Sequence, residues 1–262
     1  VLRPRGGTLP EDAFFTYFSE REGWSFPDEE DHEIAAYVNE TTGVYFQLYR
    51  DEHAIVFSVE LFRCTPFVLE ADLELAAMVE HFDLAVEDPQ DDGIEGAVYN
   101  DEQLFRGFAR ANADAYANAA GDGALADASP LTYDGDALED IWRWNYNSAL
   151  TAEETDCTVP AIGFVLLDGI VHTIAAFEAT PALVPQTDLV ALTHEDDEPV
   201  AVPWPAFAAT VSLGAAEGDD PLPYHRVVRA TLTNLRVQPS LDVTALALDQ
   251  VHAFDDVEGD AS

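Results

Sequence analysis

The chain has 262 residues, a formal net charge of −40, and 51 acidic residues against 11 basic ones, all of which are arginines. Because 48% of the residues are hydrophobic, the chain can bury a sizeable core, which argues against a disordered protein. The charge argues against nucleic acid and anionic membranes as partners, since both require a basic footprint on the protein. The length fits one large domain or two small ones.

The N-terminal region predicts a loose arm over residues 1–15 and then an antiparallel β-meander. Residues 33–38 read as a first strand. In residues 44–49 and 55–61, apolar side chains recur at every second position, which is typical of strands that are buried on one face. Short polar turns separate these three segments, so neighbouring strands are expected to pair antiparallel.

Two helices are predicted to follow the meander and to pack on one of its faces. The first begins at Thr65-Pro66, because proline is favoured at the first helical position, and runs to about residue 82. We expect Leu73 to lie in the buried stripe of this helix. The second begins near Asp101 and ends at Gly121, with apolar residues at helical spacing between them.

The C-terminal region predicts mainly antiparallel strands after one aromatic helix that begins near residue 134 or 136. Residues 159–167 and 170–177 flank Asp168-Gly169, which is a strong signal for a two-residue hairpin. Residues 187–193 predict a further strand. The pattern leaves helix and strand open for residues 224–237 and 241–254.

These elements predict an α+β fold, with an antiparallel meander and packed helices in the N-terminal half and mostly antiparallel β-structure in the C-terminal half. Residues 121–133 are rich in glycine and alanine and are the best candidate for a linker. We therefore expect one domain over residues 1–128 and a second over residues 129–262, a single continuous domain being the alternative.

The aromatic helix carries the residue types that often anchor protein interfaces, namely tryptophan, tyrosine and arginine. At least one of its two tryptophans should be partly exposed, although both could instead be covered. The predicted partner-binding residues are Trp142, Arg143, Trp144, Tyr146 and Asn147.

Residues 221–241 contain no acidic residue, in a chain where about one residue in five is acidic. The basic residues of this segment are a candidate anion pocket. The alternative is a covered element whose arginines pair with acids from elsewhere, since the guanidinium group suits bidentate pairing with carboxylates. The candidate residues are His225, Arg226, Arg229 and Arg236.

No catalytic residue, cofactor or metal site is predicted. The chain lacks the motifs of serine hydrolases, P-loop enzymes, dinucleotide-binding folds and thiol oxidoreductases. His172 is more typical of a structural histidine than of a catalytic base. Residues 88–93 resemble a calcium loop but place Tyr99 where a bidentate glutamate is required, and residues 194–198 lack the paired histidines of zinc proteases.

The two cysteines, Cys64 and Cys157, are too few for a disulfide framework, and both adjoin apolar segments. We expect two unpaired thiols, which favours a reducing compartment. Residues 1–7 do not resemble a secretory signal. The sequence therefore predicts a cytoplasmic protein with no membrane association.

The acidity has three explanations. It can hydrate the whole surface, as in proteins from a high-salt cytoplasm, it can form a face for a basic partner, or it can bind metal ions. The leading hypothesis is a non-enzymatic acidic interaction protein, most concretely an immunity-type inhibitor of a basic toxin or nuclease. The alternative is an enzyme or housekeeping domain of a salt-adapted organism whose acidity serves solvation only.

Overall fold

The structure is a computed structural model that describes residues 1–27, 32–51, 53–88, 98–121, 131–178, 181–194, 197–211, 213, 216–218, 221–228, 240–247 and 250–253. The chain divides into unit 1, which comprises Val1–Pro130 and His252–Ser262, and unit 2, which comprises Leu131–Val251. The predicted domain boundary between residues 128 and 129 lies outside the described residues. The described helices and strands confirm the α+β fold.

In its described residues, unit 1 contains a six-stranded antiparallel sheet and three helices. Its strands are β1 (Leu2–Pro4), β2 (Trp24–Ser25), β3 (Ile34–Asn39), β4 (Val44–Arg50), β5 (Ile55–Ser58) and β6 (Leu84–Val86). Its helices are α1 (Glu11–Ser19), α2 (Pro66–His81) and α3 (Asp101–Gly121). The strands lie in the order β2-β3-β4-β5-β1-β6, so the predicted meander is present as β3-β4-β5.

The prediction of a loose arm over residues 1–15 is wrong. Strand β1 lies inside the sheet, where Leu2 pairs with Ile55 of β5 on one side and with Val86 of β6 on the other. Helix α1 then buries Phe14 and Phe18 completely. The segment is short and contains prolines and glycines, so its pattern resembles a loop, and only pairing with distant strands makes it ordered.

Helix α2 confirms the predicted helix, but its buried face differs from the expected one. Leu73 is 45% exposed. The face that meets the sheet instead contains Glu70, whose Oε1 accepts hydrogen bonds from Tyr37 Oη and Asn39 Nδ2, each at 2.7 Å. A buried carboxylate must be hydrogen-bonded, so these two donors fix the rotation of the helix. The apolar residues buried beside it are Phe67, Val68, Ala71, Leu75 and Met78.

The described part of unit 2 contains most of the C-terminal strands and two helices. Its strands are β7 (Leu131–Tyr133), β8 (Ile162–Leu167), β9 (Ile170–Phe177), β10 (Ala182–Pro185), β11 (Leu189–His194), β12 (Asp197–Pro203), β13 (Tyr224–Val227) and β14 (Thr244–Leu246). Its helices are α4 (Gly135–Thr155) and α5 (Trp204–Val211), and β15 (Val251–Ala253) is the last described strand. One sheet has the order β12-β11-β9-β8-β14, and β10 pairs with β13 in another.

The β8–β9 hairpin has the predicted turn. Asp168 and Gly169 have φ angles of 52° and 81°, and Leu167 pairs with Ile170. Two positive φ angles are what a two-residue turn of type I′ requires. Strand β11, in contrast, pairs with β9 in parallel, because the chain between them passes through β10 in the second sheet. The two segments for which the sequence left helix and strand open, residues 224–237 and 241–254, contain the short strands β13, β14 and β15 in their described parts.

Helix α4 ends on Asp156, which adopts the left-handed conformation with a φ of 52°. Glycine reaches this conformation without steric cost, and the negative charge of an aspartate is unfavourable at a helix C-terminus. We expect Asp156→Gly to raise the free energy of unfolding by about 0.5–1 kcal/mol, measured by urea denaturation. Asp156→Asn is the control, since it removes the charge alone. A loss of stability in Asp156→Gly would contradict this explanation.

Candidate functional site

The position of helix α4 is fixed by hydrogen bonds to the chain that enters β8. Its first turn is capped by Asp134, whose side chain accepts from the Ala137 N–H at 2.9 Å. Farther along, Asn145 Nδ2 donates to the Ile162 carbonyl at 2.9 Å, and Asn145 Oδ1 accepts from the Ile162 N–H at 2.7 Å. The amide side chain thus pairs with the backbone as a neighbouring strand would. These bonds set the rotation of α4.

The rotation of α4 determines which tryptophan is buried. Trp144 is only 5% exposed, and its Nε1 donates to the Pro160 carbonyl at 2.8 Å. It also packs near Tyr224, with the ring centroids 5.6 Å apart. Trp144 therefore anchors the helix and does not belong to an exposed binding face. The other tryptophan of the helix, Trp142, is half-buried.

The opposite side of the helix presents an aromatic and aliphatic row to solvent. Trp142 and Tyr146 lie one turn apart with ring centroids at 5.5 Å, and Leu150 follows after another turn. Tyr146 is 39% exposed and Leu150 is 57% exposed. We call these three residues, together with Arg143 and Asn147, the α4 outer face.

The polar members of the α4 outer face are held by the helix itself. Arg143 pairs with Glu139, one turn before it, and Asn147 Nδ2 donates to the Arg143 carbonyl at 2.8 Å. The helix has one basic residue against five acids, so the surroundings of the apolar row are negative. These acids are Asp136, Glu139, Asp140, Glu153 and Glu154.

The residues of the candidate anion pocket are not brought together in the described structure. His225 and Arg226 are consecutive on β13, so their side chains point to opposite sides of the strand. His225 packs near Trp204, with the ring centroids 5.6 Å apart. Arg226 lies 3.7 Å from Glu217 and donates to Cys157 Sγ at 3.2 Å, as expected for an arginine that pairs with acids from elsewhere. Arg229 and Arg236 lie outside the described residues.

His172 belongs to a cluster that fastens β9 to the start of β11. Its Nδ1 lies 3.7 Å from Asp188 Oδ2, but that oxygen accepts hydrogen bonds from Thr173 N at 2.9 Å and Thr173 Oγ1 at 3.0 Å. The Asp188 N–H donates back to Thr173 Oγ1 at 2.9 Å. Because Thr173 is buried and its hydroxyl is engaged in both directions, the cluster is best explained as a structural link between strands.

Within the described residues, no group of histidine, cysteine and acidic side chains could hold a metal ion. Of the calcium-like loop over residues 88–93 only Asp88 is described, and the acids of residues 194–198 have no described side chains. Cys64 and Cys157 are both buried thiols. None of the described helices combines the length and the apolar character that a membrane span needs.

Sequence reasoning found Trp142, Arg143, Tyr146 and Asn147 of the α4 outer face but missed Leu150. The sequence did indicate Leu150, because residues 142, 146 and 150 recur at a spacing of four and so share a helix face. No protein-family model, curated protein or solved structure matches the chain. What the protein does must therefore be inferred from its own geometry and charge.

Proposed function

We propose that this chain is a non-enzymatic interaction protein whose α4 outer face docks a basic protein. The observation that carries the proposal is the row formed by the half-buried Trp142 and the exposed Tyr146 and Leu150, on a helix with five acids and one arginine. Aromatic and aliphatic side chains supply the apolar centre of an interface, and the acids around them attract a cationic rim. Exposed aromatic rings also bind arginine and lysine side chains directly.

The most concrete form of this function is an immunity-type inhibitor that covers a basic toxin or nuclease. The net charge of −40 supports it, because opposite charge on the partner accelerates association. Specificity would come from the apolar row, since charge attracts many basic proteins without discriminating among them. If the partner is a basic nuclease, that nuclease should lose its activity when an equimolar amount of this protein is added.

Docking on α4 can be tested with an amphipathic helical peptide of leucine and arginine, and with a control peptide in which glutamate replaces every arginine. We expect the first peptide to bind and the second to fail. The double variant Tyr146→Ala/Leu150→Ala should weaken binding of the first by about tenfold or more, measured by calorimetry.

The matched control is Ile170→Ala, which removes an aliphatic side chain that is 61% exposed on strand β9. It should leave the affinity unchanged within about twofold. All titrations are run at a salt concentration at which circular dichroism shows every variant to be folded. An unchanged affinity in the double variant would mean that the peptide binds by charge alone, and equal losses in the double variant and in Ile170→Ala would mean unspecific apolar contact. Either outcome would overturn the role of α4.

A further inference from the structure

The charge around the α4 outer face changes along the helix. At the N-terminal end of the apolar row, Glu139 lies nearly one turn before Trp142, and its carboxylate is paired with Arg143. Arg143 also follows Asp140 by three residues, a spacing at which side chains on a helix surface are neighbours. Asp136 lies in the first turn, where the partial positive charge of the helix N-terminus offsets a carboxylate. Each acid at this end therefore has positive charge close by within α4.

The C-terminal end of the row is not compensated within the helix. Glu153 and Glu154 follow Leu150 by three and four residues, so both border it on the helix surface, and both are exposed. The last turn of α4, all of whose residues are described, contains no basic residue, and the helix C-terminus adds partial negative charge of its own. Asp156, which ends the helix, is a further exposed carboxylate. Negative potential is therefore concentrated beside Leu150.

The arginine that reaches the end of α4 is already engaged. Arg226 donates to Sγ of Cys157, the residue after Asp156, at 3.2 Å. Its Nε also lies 3.7 Å from Glu217 Oε2. Because the positive charge of this guanidinium is offset by Glu217, it does little to neutralise the acids beside Leu150.

We propose that the basic partner binds the α4 outer face in one polarity, with its cationic side chains beside Leu150 and its uncharged apolar side chains over Trp142 and Tyr146. Aromatic rings can attract a cation, but one placed over these two rings would lie beside the guanidinium of Arg143, which repels it. Complementary charge of this kind fixes the register and orientation of a partner.

This inference rests on the proposed function and specifies the segment that docks. Trp142 and Leu150 are eight residues apart, which corresponds to about 12 Å along the helix axis. The docking segment of the partner should therefore carry an apolar patch and, about 12 Å farther along, a cluster of arginine or lysine side chains. The probe for this arrangement is a block peptide, a helical peptide with its leucines in one half and its arginines in the other.

The first test removes two charges from one end of α4 at a time. Glu153→Gln/Glu154→Gln should weaken binding of the block peptide by about threefold to tenfold in calorimetric titrations, because each exposed charge pair contributes modestly. The matched control, Asp136→Asn/Asp140→Asn, makes the same change in net charge at the other end and should weaken binding by less than about twofold. About 20 Å separates the two ends along the axis, which exceeds the screening length of about 8 Å at about 0.15 M KCl.

The second test locates the arginines on the unmodified protein, so it does not depend on the folding of a variant. A nitroxide at the arginine end of the block peptide should broaden the methyl resonances of Leu150 more than the indole N–H resonance of Trp142, since paramagnetic broadening falls steeply with distance. A peptide with its two halves exchanged should give the same pattern, because it can bind in the reverse direction.

The outcomes separate this inference from the proposed function. If the block peptide binds and Tyr146→Ala/Leu150→Ala weakens it, but the two charge variants bind equally or Trp142 is broadened at least as much as Leu150, the polarity is wrong and docking on α4 stands. If the block peptide does not bind, or binds Tyr146→Ala/Leu150→Ala with unchanged affinity, both proposals fail.

Discussion

Replacing Asn145 with alanine is expected to destabilise unit 2 by about 2–5 kcal/mol. The variant removes both hydrogen bonds to Ile162 and leaves a backbone N–H and a carbonyl without their partners. Asn145 is 2% exposed and Ile162 is 1% exposed, so water does not reach these groups in the folded state. Each buried polar group that loses its partner costs about 1–3 kcal/mol.

The matched control is Asn147→Ala, two residues along the same helix. Asn147 is exposed and bonds only to a carbonyl of its own helix, so its loss should change stability by less than about 0.5 kcal/mol. Both variants can be compared by urea denaturation followed by tryptophan fluorescence, because three of the four tryptophans belong to unit 2. Equal stability of the two variants would show that the Asn145 bonds do not hold α4 in place.

The melting temperature is expected to rise by roughly 6–12 °C when KCl increases from about 0.1 M to about 1 M, which corresponds to about 3 kcal/mol. Even if each of the 11 arginines paired with a different acid, 40 of the 51 acids would remain without a basic partner. Their mutual repulsion destabilises the folded state, in which the charges are closest together. Salt shortens the screening length from about 10 Å to about 3 Å and so reduces that repulsion.

The control for this prediction is pH. As the pH approaches the isoelectric point of about 4.1, the net charge falls toward zero, and the dependence of the melting temperature on KCl should shrink with it. Sucrose separates charge screening from general exclusion, since it stabilises proteins without screening charges. A melting temperature that does not change with KCl at neutral pH would mean that the surface acids are spaced widely enough not to interact.

The described ion pairs agree with this view of the charge. Arginines in both units contact acids within 4.0 Å, including the pairs Arg21–Glu74 at 2.7 Å and Arg50–Glu11 at 3.2 Å. These arginines are already engaged by acids and do little to neutralise the rest of the surface. A basic partner would meet a surface on which carboxylates are in large excess.

Much of the local structure could be predicted from the sequence, because its signals are local. Strand β4 alternates Val44, Phe46 and Leu48 with exposed or half-buried residues, and a period of two fixes which side is buried. The β8–β9 turn could be predicted from Asp168-Gly169, since few residue pairs adopt two positive φ angles. The start of α4 could be predicted from its capping aspartate.

Where the predictions failed, the outcome depended on partners distant in the chain. Strand β1 is ordered only by β5 and β6, more than 50 positions away. The rotations of α2 and α4 depend on Glu70 and Asn145, polar residues that are buried because the sheet supplies their hydrogen-bond partners. A hydrophobic pattern assigns such residues to the surface and so misplaces the neighbouring side chains, as it did for Leu73.

The sequence by itself determined the α+β class, most of the helices and strands, and the acidic surface, since these follow from composition and short-range periodicity. Only the tertiary structure decided that Trp144 anchors α4 while Tyr146 and Leu150 are exposed, and that α2 turns Glu70, and not Leu73, toward the sheet. Both results depend on how far apart and at what rotation the elements pack. That geometry is fixed by hydrogen bonds between residues that are not neighbours in the sequence.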